Sequence, residues 1–238
     1  MAKRSHPRRG SMAFSPRKRA NRQFGRVKSW ASTDSGEIRV QGFVGWKAGM
    51  THVLLRDTNP NSNSAGQEVR KPVTVIEIPA LRILGVRAYG DSPYGLQTIG
   101  EVWWDCDEIK ETFPELFRRV PIRKEHDSES HKEQLLNSDY CEVRLIVATN
   151  PKSLSSIPSK TPEIMEMGLS GGDLSSQLEW SFEKLGSELE MNSVFETGSQ
   201  VDVIGITKGY GWQGVIRRFG GKLQSHKNSK KIRQHGNM

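Results

Sequence analysis

Between Val40 and Trp104 the apolar residues come in short runs broken by turn-forming residues, with no stretch of helical periodicity between them. Val40-Gln-Gly-Phe-Val-Gly-Trp46 and Thr51-His-Val-Leu-Leu55 predict two strands about a turn at Gly49. Residues 57–70, rich in Asn, Ser and Gly, predict a polar loop. Val73–Pro79 is the clearest strand, and Leu81–Tyr89 and Thr98–Trp104 share its β-branched and aromatic content. Short strands without intervening helices imply an antiparallel sheet or a small barrel.

From Asp105 to Glu142 the chain turns acidic and helix-tolerant, with Leu116, Phe117, Leu135 and Leu136 as sparse apolar anchors. Cys141–Val147 returns to a strand pattern, and Ile164–Met167 is strand-like. Asp173 suits the N-cap of a helix reaching about Leu189, with Leu174, Leu178, Phe182 and Leu185 on one stripe. Val201–Ile206 reads as a last strand. The expected fold is mainly β, a barrel carrying an α/β insertion. Its parts are a basic N-terminal extension (1–38), the first part of the barrel (39–104), the insertion (105–195), a barrel strand (196–207) and a basic glycine-rich extension (208–238).

Charge sharpens this division. Residues 1–30 hold ten Lys or Arg and no acid; residues 208–238 hold eight and again no acid. The stretch between them has 17 basic and 27 acidic residues, so the formal net charge of +8 conceals two strongly cationic ends. Like charges at this density repel, so the ends are expected to order only on a polyanion. Arg outnumbers Lys seven to three in the first arm, and the planar guanidinium suits phosphates and stacks on bases. Phe14, Phe24 and Trp30 are interleaved there, as are Tyr210, Trp212 and Phe219 at the other end. The candidate RNA-binding residues are Lys3, Arg4, Arg8, Arg9, Arg17, Lys18, Arg19, Arg22, Arg26 and Lys28 in the first arm. In the second they are Lys208, Gly209, Gly211, Trp212, Gly214, Arg217, Arg218, Lys222, Lys227, Lys230, Lys231 and Arg233. Two distant cysteines, Cys106 and Cys141, form no ligand or disulfide framework. No apolar run approaches the roughly 18 residues of a membrane span, and a soluble cytoplasmic protein is expected.

Several motifs suggest other chemistry. Gly209-Tyr-Gly-Trp-Gln-Gly214 satisfies GxGxxG, but no following helix is expected and no acid occurs after Asp202 to bind a ribose. Gly168-Leu-Ser-Gly-Gly172 satisfies GxSxG, with Asp202 and His226 or His235 in hydrolase order, yet the alternating strands and helices of that fold are missing upstream. Gly171 and Gly172 serve better as a turn into the Asp173 helix. His126, His131, Asp127, Glu129 and Glu133 fit no standard metal spacing, and Asp105, Asp107, Glu108 and Glu111 read as a solvated helix start. No catalytic residue, metal site or cofactor is assigned.

One segment is specific. Phe195, Asp202, Gly205, Thr207, Gly209, Gly211, Gly214 and Arg218 stand at the spacings of a signature, and Val201–Arg218 resembles that of the large-subunit ribosomal protein L-three family. His6–Arg19 resembles the N-terminus of its archaeal and eukaryotic branch. Gly42-Phe43, Lys47–His52, Val73–Pro79, Arg87–Tyr89 and Tyr94-Gly95 are similar to it as well. Tyr210 stands where the family usually has a basic residue. The resemblance implies a six-stranded translation-protein-type β-barrel and extensions reaching through large-subunit rRNA towards the peptidyl transferase centre. It also implies a part in subunit assembly and no catalytic residues. The implied partners are large-subunit rRNA and neighbouring large-subunit proteins, with no membrane and no small-molecule substrate. Family members continue well beyond the point where this sequence stops, so a truncated or partial sequence is expected. His226 lies near a position modified in some relatives, but that role is not transferred. A chromatin or RNA-chaperone factor using the same arms, and a serine hydrolase, are the alternatives.

Overall fold

The computed structural model describes residues 10–11, 13, 20–31, 36–116, 128–211, 213–227 and 232–233. The chain divides into two units, Ser29–Gln200 and a second in which Met1–Lys28 is grouped with Val201–Met238.

The larger unit is built on an antiparallel sheet. Its strands are β1 (Arg39–Val40), β4 (Leu81–Gly90), β5 (Gln97–Trp103), β6 (Glu142–Ala148), β7 (Ile164–Ser170) and β8 (Glu188–Leu189), while β2 (Trp46–Arg56) and β3 (Glu68–Glu77) form a separate hairpin. The sheet runs β1-β7-β6-β4-β5, with β8 also paired to β4. Period-2 alternation sorts its side chains. One face carries Ile83, Val86 and Ala88 of β4 with Val143, Leu145 and Val147 of β6, under Leu178 of α3 (Leu174–Glu183) and Leu135 of α2 (Ser128–Leu136). Burying a leucine as completely as Leu178 stabilises by about 1.5–3 kcal/mol. On the other face Leu84 and Ala148 meet Ile109 and Phe113 at α1 (Cys106–Thr112), and Trp103 and Trp104 pack beside them.

The sequence expectation of a mainly β fold holds, with several corrections. Gly49 is no turn: it lies inside the 11-residue β2, where the register slips between Lys47 and Gly49. Ala48 is the extra residue of this bulge, which keeps the strand running where a turn would end it. The loop after β2 is shorter than expected, because β3 begins at Glu68. Asp57 organises that loop. Hydrogen bonds from Ser62, Ser64 and the Asn59 amide hold its carboxyl down to about 2.

The helix after Asp173 ends at Glu183, short of Leu189. The chain then turns through Gly186 (φ +76°), which lies under Trp104, and Glu188–Leu189 joins the sheet beside β4. Asp173 holds the N-cap position, but its side chain makes no capping hydrogen bond. Asp105 does cap α1, accepting from the Asp107 amide at 3.1 Å. Residue 105 does not bound the core either: β4 pairs with β6 along Arg82–Tyr89, so the sheet draws strands from both sides of it. Phe117 lies outside the described residues, whereas Leu116 and Leu135 are buried as expected and Leu136 is exposed.

Candidate nucleic-acid interface

In the smaller unit, described residues of the first arm lie beside the segment that leads into the second. A β-carbon on Gly25 would lie 2.5 Å from Ile204 Cγ2 and 3.4 Å from the Ile204 carbonyl carbon, so the first arm runs closely against the segment leading into the second. The unit's sequence holds eighteen Lys or Arg and a single acid, Asp202. Arg22, Arg26, Lys28, Lys208, Arg217, Arg218, Lys222, Lys227 and Arg233 are all exposed, as are Gly209, Gly211 and Gly214. Lys3, Arg4, Arg8, Arg9, Arg17, Lys18, Arg19, Trp212, Lys230 and Lys231 lie outside the described residues. None of the described cations in this unit makes an ion pair with a described carboxylate.

Two sequence expectations fail here. Val201–Ile206 pairs with no strand among the described residues, and Val201, Val203, Ile204 and Ile206 are 41–76% exposed. Alternating β-branched residues specify a strand only where another strand accepts their hydrogen bonds. The second failure is the absent helix after Gly214, because α4 (Val215–Phe219) starts there, with the Arg218 amide donating to the Gly214 carbonyl at 3.1 Å. The dinucleotide reading still lacks both the preceding strand and the acid. Lys208 Nζ lies 5.8 Å from the Tyr210 ring, and Arg218 Cζ lies 5.4 Å from that of Phe219. Gln224 donates from its amide to the Ile232 carbonyl at 3.0 Å, returning the chain on itself.

The larger unit contains a cluster that sequence reading missed. Arg87 of β4 stands directly opposite Arg144 of β6, an arrangement that would be repulsive alone. Glu166 of β7 lies between them, taking Arg87 on one oxygen and Arg144 on the other at 3.2 Å, while the Tyr89 hydroxyl donates to it at 2.9 Å. Glu101 holds Arg87 at 2.6 Å, and Glu142 grips Arg144 through two bonds of 2.7 and 3.0 Å. Burial opposes ionisation of Glu166, but Tyr89, Arg87 and Arg144 together keep its carboxyl below the usual range. Only the cross-strand register unites these residues, so no linear spacing reveals them.

Over residues 1–238, the whole chain, the sequence matches the family model described as Ribosomal protein L3. The chain belongs to the ribosomal protein L3 family. It is 40% identical over 238 residues to the large ribosomal subunit protein uL3 of Picrophilus torridus, covering 100% of this chain and 69% of the relative. The uL3 of Haloarcula marismortui is 41% identical over 232 residues (95% of this chain, 67% of the relative). That of Methanococcoides burtonii is 40% identical over 244 residues (100% and 71%).

L3-family membership makes the chain a structural ribosomal protein and removes the hydrolase. The GxSxG motif has a structural use in this L3-family fold: Gly168 lies beneath Trp30, and Gly171 and Gly172 (φ +82° and +66°) make the turn into α3. Ser170 donates to the Arg39 carbonyl at 3.5 Å. Trp30, grouped with the arm aromatics in the sequence, instead packs on the L3-family core. His126 and Asp127 lie outside the described residues.

Proposed function

We propose that this chain is a structural constituent of the large ribosomal subunit that binds large-subunit rRNA through its smaller unit, supports subunit assembly and extends towards the peptidyl transferase centre. One observation carries the reading: cations from both chain ends share one unit, exposed and unneutralised by any described carboxylate. Many such contacts, each weak, fix RNA by displacing its counterions. Neighbouring large-subunit proteins are the other partners, and the ribosome in the cytoplasm is the location. The β2–β3 hairpin, with Leu55 and Val75 46% and 45% exposed, supports a place in a closed six-stranded barrel of the translation-protein type. A hairpin alone is marginal in water and needs a further surface to cover its apolar side.

Gly209 and Gly214 test the reading. Neither has a positive φ, and a β-carbon on either would meet nothing within 4 Å. Nothing among the described residues therefore requires glycine at these positions, whereas close approach of backbone to phosphate does. The double substitution Gly209→Ala/Gly214→Ala should leave the circular dichroism and melting temperature of the free protein unchanged or slightly improved. It should weaken binding to an rRNA fragment about tenfold or more, the loss of a charge-assisted hydrogen bond of about 1.5–3 kcal/mol. Unchanged affinity would remove the glycine segment from the interface.

A further inference from the structure

We infer that Tyr210 and Phe219 are stacking platforms for unpaired nucleobases of RNA, each beside a cation placed to take a phosphate of the same strand. This deepens the rRNA-binding reading and rests on it.

The two rings are 67% and 74% exposed, an unusual state for large aromatic side chains. Each has its own cation, Lys208 at 5.8 Å and Arg218 at 5.4 Å, within the roughly 6 Å at which a cation is attracted to a ring. Neither cation has an ion-pair partner among the described residues. The backbone repeats as well. Tyr210 is followed by Gly211 at φ +69° and Phe219 by Gly220 at φ +68°, conformations that suit glycine. A β-carbon on either glycine would meet no atom within 4 Å. Each ring is thus followed by a left-handed glycine with open space at its own β-carbon position.

A nucleotide offers what each pair can use: a flat face for the ring and an anion for the cation. The apolar pocket of a protein would have to strip water from Lys208 and Arg218 without repayment. Paired RNA has its bases already stacked, so the platforms select looped or bulged segments.

The test uses the full chain with two RNA probes of matched phosphate number, one an unpaired mixed-sequence strand and one a duplex, titrated across a salt series. Tyr210→Ala and Phe219→Ala should each weaken binding to the unpaired strand by about 5- to 150-fold at every salt concentration. Neither should change the salt slope or the affinity for the duplex. Lys208→Ala should instead flatten the slope by about 0.7, and Tyr210→Phe should bind as the unmodified chain does. Unchanged affinity of both alanine variants for the unpaired strand would overturn the inference, as would equal weakening towards both probes. If the unmodified chain binds neither RNA, the rRNA-binding reading falls and the stacking role falls with it.

Discussion

Glu166→Ala should destabilise the larger unit by about 3 kcal/mol, because it leaves two arginines facing each other across a strand pair with their shared carboxylate gone. Arg144 is 4% exposed and Arg87 24%, so neither can simply turn into water. Glu142 and Glu101 still neutralise one arginine each, which limits the loss. Thermal melting should show it as a fall of about 2–4 °C for each kcal/mol. The same carboxylate sets a pH dependence. Since its folded value lies below its unfolded one, its contribution is complete above the unfolded carboxylate value of about 4.3 and is lost as pH falls through the folded value. Stability of the alanine variant should therefore fall less steeply than that of the unmodified chain below about pH 4.3. Parallel acid titrations of the two proteins would remove Glu166 from the account.

Gly168→Ala should cost a similar amount for a steric reason. A β-carbon at this position would lie 2.4 Å from Trp30 Cγ and 2.5 Å from Cδ2. The Trp30 indole also rests against Gly42, so it has little room to retreat. Overpacking of this kind costs about 1–3 kcal/mol, and more where the neighbour is held. A double-mutant cycle isolates the cause. In a Trp30→Ala background, which itself leaves a cavity, the added Gly168→Ala should be almost neutral. An equal cost in both backgrounds would mean that the backbone of β7, and not the indole, demands glycine.

Reading these positions in the sequence was possible only in part. The strands β3 to β6 were legible because β-branched runs between turn residues leave few alternatives, and the helix stripe of α3 was plain at Leu178 and Phe182. The Gly49 bulge was not legible, since a glycine between two apolar runs signals a turn or a bulge equally well. Val201–Ile206 misled for the opposite reason: its alternation is right for a strand, but pairing is a property of a neighbour. The end of α3 fell short of the stripe because the chain turns at Gly186 (φ +76°), a glycine packed against Trp104 some 80 residues away in sequence. At the candidate interface, charge runs and glycine spacing single out the exposed cations without any structure. Which aromatics stand free was not legible, because Trp30 and Phe219 sit in equally basic surroundings and only packing separates them.

The most direct measurement of the central claim is binding of the full chain to large-subunit rRNA against a random RNA of equal length, across a salt series. Cationic arms alone predict a steep loss for both RNAs, with a slope of about −0.7 for each phosphate neutralised on single strands. A chain that fixes a particular rRNA fold should keep a preference for the rRNA at high salt, where counterion release contributes least. Identical titrations of the two RNAs at every salt concentration would contradict the account and leave a general polyanion binder.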